Sequence, residues 1–123
     1  MPGPSEAQLQ TAFLLAAPAA LPTLRLFRRN IGVARLHGGH VVRFGVPGQS
    51  DLWGVTRGGV HLEVECKAYG GRLSPDQLRW SEWCATWGIR WVLLKAWKGE
   101  TSEQTVERWV YEVRMALDGD PTT

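Results

Sequence analysis

In the run Val60-His61-Leu62-Glu63-Val64-Glu65-Cys66-Lys67 every second residue is polar, and Asp51 stands fourteen residues ahead of Glu65. Acids and a lysine gathered in this way can do one kind of chemistry well. Carboxylates hold a hard divalent cation, the cation activates water and neutralises a phosphate, and an ammonium nearby acts on the water or the phosphate. An extended strand over this run sends Val60, Leu62, Val64 and Cys66 to one face and His61, Glu63, Glu65 and Lys67 to the other. Lys67 then lies one pleat repeat, roughly 6.5–7 Å, along the strand from Glu65. The same alternation also describes a solvated surface strand, so the strand alone does not establish a site.

The elements around the run decide whether the acids can meet. Asp51-Leu52-Trp53-Gly54-Val55 reads as a short strand, and Arg57-Gly58-Gly59 as a tight turn into the Glu65 strand. Asp51 to Lys67 is thus a β-hairpin with Asp51 and Glu65 at corresponding places on paired strands. Upstream, Ser5 with Gln8 three residues later opens a helix expected to run toward Ala16 and stop near Pro18, with Glu6 in its first turn. Thr23 to Arg28 and Ile31 to Leu36 alternate as strands, with a turn at Asn30 to Gly32 between them. Val41 to Phe44 is a third strand or an extended loop, and His37-Gly38-Gly39-His40 a hairpin turn. Downstream, Ser74-Pro75-Asp76-Gln77 has a cap, a proline at the first helical position and an amide at the third, so it opens a second helix. Trp80, Trp83, Cys84 and Trp87 recur along it as a packing stripe. Ile89 to Trp97 reads as a buried strand, and a last helix of about 102–117 carries Val106, Trp109, Val110, Val113 and Leu117 on one face. Helix, a meander of strands, helix, strand and helix make an α/β protein with a sheet flanked by helices.

Composition agrees with one folded domain over residues 1–123. Of these residues 44% are hydrophobic and 21% charged, without repeats or low-complexity runs. The apolar stretch at Ala12 to Leu21 is too short to span a bilayer and Glu6 occupies the place of a basic leader region, so a cytoplasmic location is expected. Cys66 and Cys84 fall on apolar faces and read as core residues. With His37, His40 and His61 lacking ligand spacing, zinc and disulfides are disfavoured. The net charge is only +2, but it is unevenly spread: no acid lies between Glu6 and Asp51, where five arginines do, and six acids follow from Glu100 onward. Eleven of the fourteen basic residues are arginine, the better bidentate partner for phosphate, which modestly favours a nucleic-acid partner. Most of the tryptophans read as core, with Trp53 and Trp97 as alternatives for stacking on unpaired bases.

Taken together, Gly48-Gln49-Ser50-Asp51-Leu52, Glu65-Cys66-Lys67, Leu73-Ser74 and Gln77, with Glu6 on an N-terminal helix, resemble the VRR-NUC family of the PD-(D/E)xK nuclease superfamily. The resemblance covers about residues 5–97. It departs from the usual pattern at Ser50, where a proline is common, and at Cys66, where a branched aliphatic is. It implies a restriction-endonuclease-like fold with a central mixed sheet. It also implies a Mg²⁺-dependent endonuclease, with Mn²⁺ able to substitute, acting on branched DNA such as Holliday junctions. Asp51, Glu65, the Cys66 backbone carbonyl and Glu6 are then the metal ligands, and Glu6, Asp51, Glu65, Lys67 and Gln77 the catalytic set. Small stand-alone relatives imply a homodimer. Several alternatives stay open. Gln77 reads equally as a capping residue, Glu6 as a helix-dipole partner, Glu63 as an outer or solvated acid, and Ser50 as a turn former. A nuclease without branch preference and a DNA-binding subunit without activity also fit the sequence.

Overall fold

A computed structural model describes residues 3–29 and 32–118, without the side chains of residues 32, 33 and 42–44. Ten short elements follow one another: α1 (Glu6–Ala20), β1 (Leu24–Arg28), β2 (Gly32–Arg35), a 3₁₀ turn (His37–Gly39), β3 (Val41–Phe44), β4 (Leu52–Thr56), β5 (His61–Lys67), α2 (Pro75–Thr86), β6 (Arg90–Lys95) and α3 (Ser102–Ala116). Four strands form a mixed sheet in the order β1-β4-β5-β6, antiparallel except for the parallel β5–β6 pair. The protein is thus α/β, with a four-stranded mixed sheet flanked by three helices.

The period-two pattern of β5 decides where the core lies. Leu62, Val64 and Cys66 are fully buried and pack with Leu9, Phe13, Leu52, Leu94, Trp109 and Val113, so α1 and α3 cover this face of the sheet. Phe13 and Trp109 meet edge to face at 5.9 Å between ring centroids, which joins the two helices. The opposite face carries Glu63 and Glu65. The β5-α2-β6 crossover lays α2 over them, through hydrogen bonds from Trp80 and Gln77. β5 is therefore covered on both faces and is not the solvated strand that its alternation also allowed.

Other expectations need correction. The strands do not form a simple meander, because β2 and β3 pair as a separate hairpin and β1 joins β4 directly. The expected turn at Asn30 and Ile31 lies outside the described residues, while Gly32 already belongs to β2. α1 continues past Pro18 to Ala20. Only the last turn lacks the proline N–H, and burial of Ala17 and Leu21, with Leu21 N–H donating to the Ala17 carbonyl at 2.7 Å, holds that turn. β6 lies at the sheet edge and is only partly buried. Among the tryptophans Trp109 alone is fully buried, whereas Trp83 and Trp87 are 44% and 70% exposed. Helical spacing put Trp80, Trp83 and Trp87 on one stripe, but they stack on one another along α2 instead of entering the core. No helix among the described residues is long and apolar enough to cross a membrane.

Candidate metal centre

Asp51 immediately precedes β4, and the register Leu52↔Val64 places it opposite Glu65. Asp51 Oδ2 accepts the Cys66 N–H at 3.2 Å, which fixes the carboxylate against β5. Glu6 enters from the first turn of α1, where Ser5 Oγ accepts the Gln8 N–H and Gln8 Oε1 accepts the Ser5 N–H. One carboxylate oxygen each from Glu6, Asp51 and Glu65 lies within 4.8 Å of the other two. Three acids, separated in sequence and supplied by a helix, a loop end and a strand, thus converge. In an extended strand the N–H and C=O of one residue point to the same side. The Lys67 carbonyl bonds to Ala96 in the direction of β6, so the Cys66 carbonyl turns the other way, toward Asp51.

The surroundings of Glu65 are unusual for an acid. It is fully buried, its Oε1 accepts from Gln77 Nε2 at 3.0 Å, and Lys67 Nζ lies 3.8 Å from the same oxygen. Oε2 is buried with no hydrogen-bond partner. Burial, then the charge of Asp51 and a hydrogen bond shared with it, push the Glu65 carboxyl up to about 8, with Glu6 adding and Lys67 opposing. The Glu6 carboxyl is raised too, first by burial and then by Asp51. Two species would satisfy Oε2: a proton shared with Asp51, or a cation. The donors that converge are three carboxylates. The Cys66 thiol is in the core and burial raises its pKa, so no soft ligand is present. Hard oxygen donors of this kind are those that Mg²⁺ or Mn²⁺ prefers.

Lys67 is 12% exposed at the side chain and stands beside Glu65 as the alternation requires. Gln77 is a helix cap and also reaches the acids. Its Oε1 accepts the Ser74 N–H at 2.9 Å in a capping box, while its Nε2 holds Glu65. Gly48 explains how the loop before Asp51 reaches α2. Its φ is +86°, and a Cβ there would lie 2.2 Å from the Asp76 carbonyl oxygen. Ser50 is fully buried, and its Oγ has no hydrogen-bond partner among the described residues.

Glu63 is the correction within the site. It is neither solvated nor free to bind a cation, because Arg29 grips it with two hydrogen bonds of 2.5 and 2.9 Å, while His61 Nε2 at 2.6 Å and Trp80 Nε1 at 3.1 Å complete its shell. Burial raises its pKa, but Arg29 and these hydrogen bonds outweigh burial, and the carboxyl ends below its ordinary range. Nothing in the spacing pointed to Arg29, which meets Glu63 only once β1, β4 and β5 are in register. No protein-family model matches this chain, and no curated protein or solved structure does.

Proposed function

We propose that this protein is a Mg²⁺-dependent endodeoxyribonuclease of the PD-(D/E)xK type, similar to stand-alone VRR-NUC proteins, that hydrolyses phosphodiester bonds in branched DNA. The observation that carries the reading is the convergence of the Glu6, Asp51 and Glu65 carboxylates, with Lys67 Nζ 3.8 Å from Oε1 of the buried Glu65. A hairpin bearing the acids, followed by a helix and a parallel strand, supports the fold assignment. Asp51, Glu65, Glu6 and the Cys66 carbonyl would hold the metal, which when bound supplies Lewis acidity and a more acidic water.

The chain's own groups do the rest. Gln77 holds Oε1 of Glu65 and so orients the carboxylate, whose Oε2 takes no hydrogen bond. The Lys67 ammonium, largely shielded from solvent, orients the attacking water or stabilises charge on the phosphate. Hydrolysis forms one P–O bond to water and breaks one P–O ester bond. The water gives up a proton and the departing sugar oxygen gains one. Symmetric cutting of a junction requires two such sites, which a two-fold homodimer provides. Sedimentation that shows a concentration-independent monomer would speak against that part.

The test is cleavage of a labelled four-way junction, and of linear duplex of the same sequence, with Mg²⁺, Mn²⁺ or EDTA. Asp51→Ala, Glu65→Ala and Lys67→Ala should each lower cleavage by at least about a hundredfold while circular dichroism stays native. Wild-type-like cutting by any one of them removes the proposed mechanism, and equal cutting of junction and duplex removes the branch preference.

A further inference from the structure

Lys67 pairs with Lys95 in the parallel β5–β6 register, so the two side chains share a sheet face. Beyond Lys95 opens a groove of about 490 Å³ lined by Tyr69, Arg72, Lys95, Trp97 and Lys98, with no acid among its lining residues. None of its three cations takes part in an ion pair among the described residues. Both aromatic residues are more than half exposed, Tyr69 at 64% and Trp97 at 59%.

Trp97 is also held in place. The Arg108 guanidinium lies over its ring at 3.8 Å from the centroid, and its backbone N–H donates to Glu100 Oε1 at 2.7 Å. Arg108 is itself committed to Glu100, Glu112 and the Lys95 carbonyl, so it serves as a backing for the indole and is not available to a phosphate. A pinned ring presents its surface without losing rotamer entropy when something stacks on it. An exposed aromatic platform flanked by unpaired cations matches the needs of a single-stranded nucleotide, whose base has a free π-face and whose phosphate is anionic. Paired bases inside a duplex offer only their edges.

We propose that this groove is a subsite for an unpaired nucleotide of the DNA substrate, with the base on Trp97 and Tyr69 and the phosphate on Arg72, Lys95 and Lys98. The identity of the ligand as DNA rests on the nuclease reading; the binding does not require cleavage.

Fluorescence anisotropy in EDTA tests this with a labelled oligothymidylate of about a dozen nucleotides beside a blunt duplex of the same length. Trp97→Ala and Tyr69→Ala should each weaken oligothymidylate binding roughly tenfold and change duplex binding less than about twofold, with Trp97→Phe restoring most of the loss. Lys98→Ala should lower the salt slope by about 0.7. Tyr69 makes no side-chain hydrogen bond among the described residues, so its variant tests the idea even if Trp97→Ala loosens Arg108. Oligothymidylate binding that is absent in wild type, unchanged in both aromatic variants, or weakened equally for duplex overturns the subsite. A protein that binds through Trp97 yet never cuts DNA sinks the nuclease reading alone, and one that cuts while Trp97→Ala binds normally sinks the subsite alone.

Discussion

Glu63 and Glu65 lie two residues apart on one strand face, both fully buried, and their neighbours push them in opposite directions. Glu63 is neutralised by Arg29 in a bidentate pair, so removing it leaves a guanidinium whose side chain is only 16% exposed without its partner. Glu63→Ala should cost about 3 kcal/mol, read by chemical denaturation. Glu65 behaves differently, because its folded-state carboxyl is raised from an ordinary 4.5 to about 8. Between those values the folded protein binds a proton that the unfolded chain does not, so metal-free stability falls as pH rises from about 4.5 to 8. Glu65→Gln removes this penalty. In EDTA at pH 8 it should melt at least about 4 °C above wild type, with the gap closing near pH 4. A variant that melts lower at both pH values would show that the buried carboxylate is not under electrostatic stress. Glu100 has the reverse sign. Arg108 first, then hydrogen bonds from Trp97 and Thr105, hold its carboxyl down at about 2 against burial, so its contribution is complete above about 4.5 and is lost as pH falls toward 2.

Among the elements, α2 reaches the acid cluster through Gln77, while its Trp80 bonds to Glu63. Gln77→Glu keeps the acceptor for the Ser74 N–H but replaces the donor to Glu65 with a second carboxylate. The helix should persist by circular dichroism while cleavage falls at least about tenfold. Full activity in that variant would reduce Gln77 to a cap. Gly48→Ala forces a side chain against the Asp76 carbonyl at a positive φ, and should cost more than about 1 kcal/mol and displace the strand end bearing Asp51. The three capping boxes at Ser5, Ser74 and Thr101 are local devices, which is why helix starts were legible from short stretches of sequence. The face of β5 was legible for the same reason. The tryptophan stripe of α2 was misread because periodicity shows which residues share a face but not whether that face meets the core. Pro18 was read as a stop because its cost is local, while the burial that offsets it comes from elsewhere in the fold.

Across the whole molecule, linear charge was a poor guide to cationic surface. In the arginine-rich first half Arg29 turns inward to Glu63, Arg28 donates to Thr11 and Arg25 to the Pro22 and Leu24 carbonyls. The cations without an ion pair among the described residues come instead from Arg72, which follows β5, and from Lys95 and Lys98 at the end of β6, brought together as β5 and β6 run parallel. The acids show the converse. Asp51, Glu65 and Lys67 could be grouped from a hairpin pattern, and Glu6 only through the family resemblance; the orphaned oxygen and the Arg29 clasp required the packed sheet. The claim that everything else depends on is that Glu6, Asp51 and Glu65 form one cation site. Calorimetric titration of Mn²⁺ into wild type and Glu65→Gln at pH 7, in two buffers of different ionisation enthalpy, tests it most directly. The account predicts saturable binding by wild type with release of about one proton as the raised carboxyl ionises, and binding weakened at least about tenfold in the variant. Equal affinity in the two proteins, or no saturable binding by wild type, would contradict it.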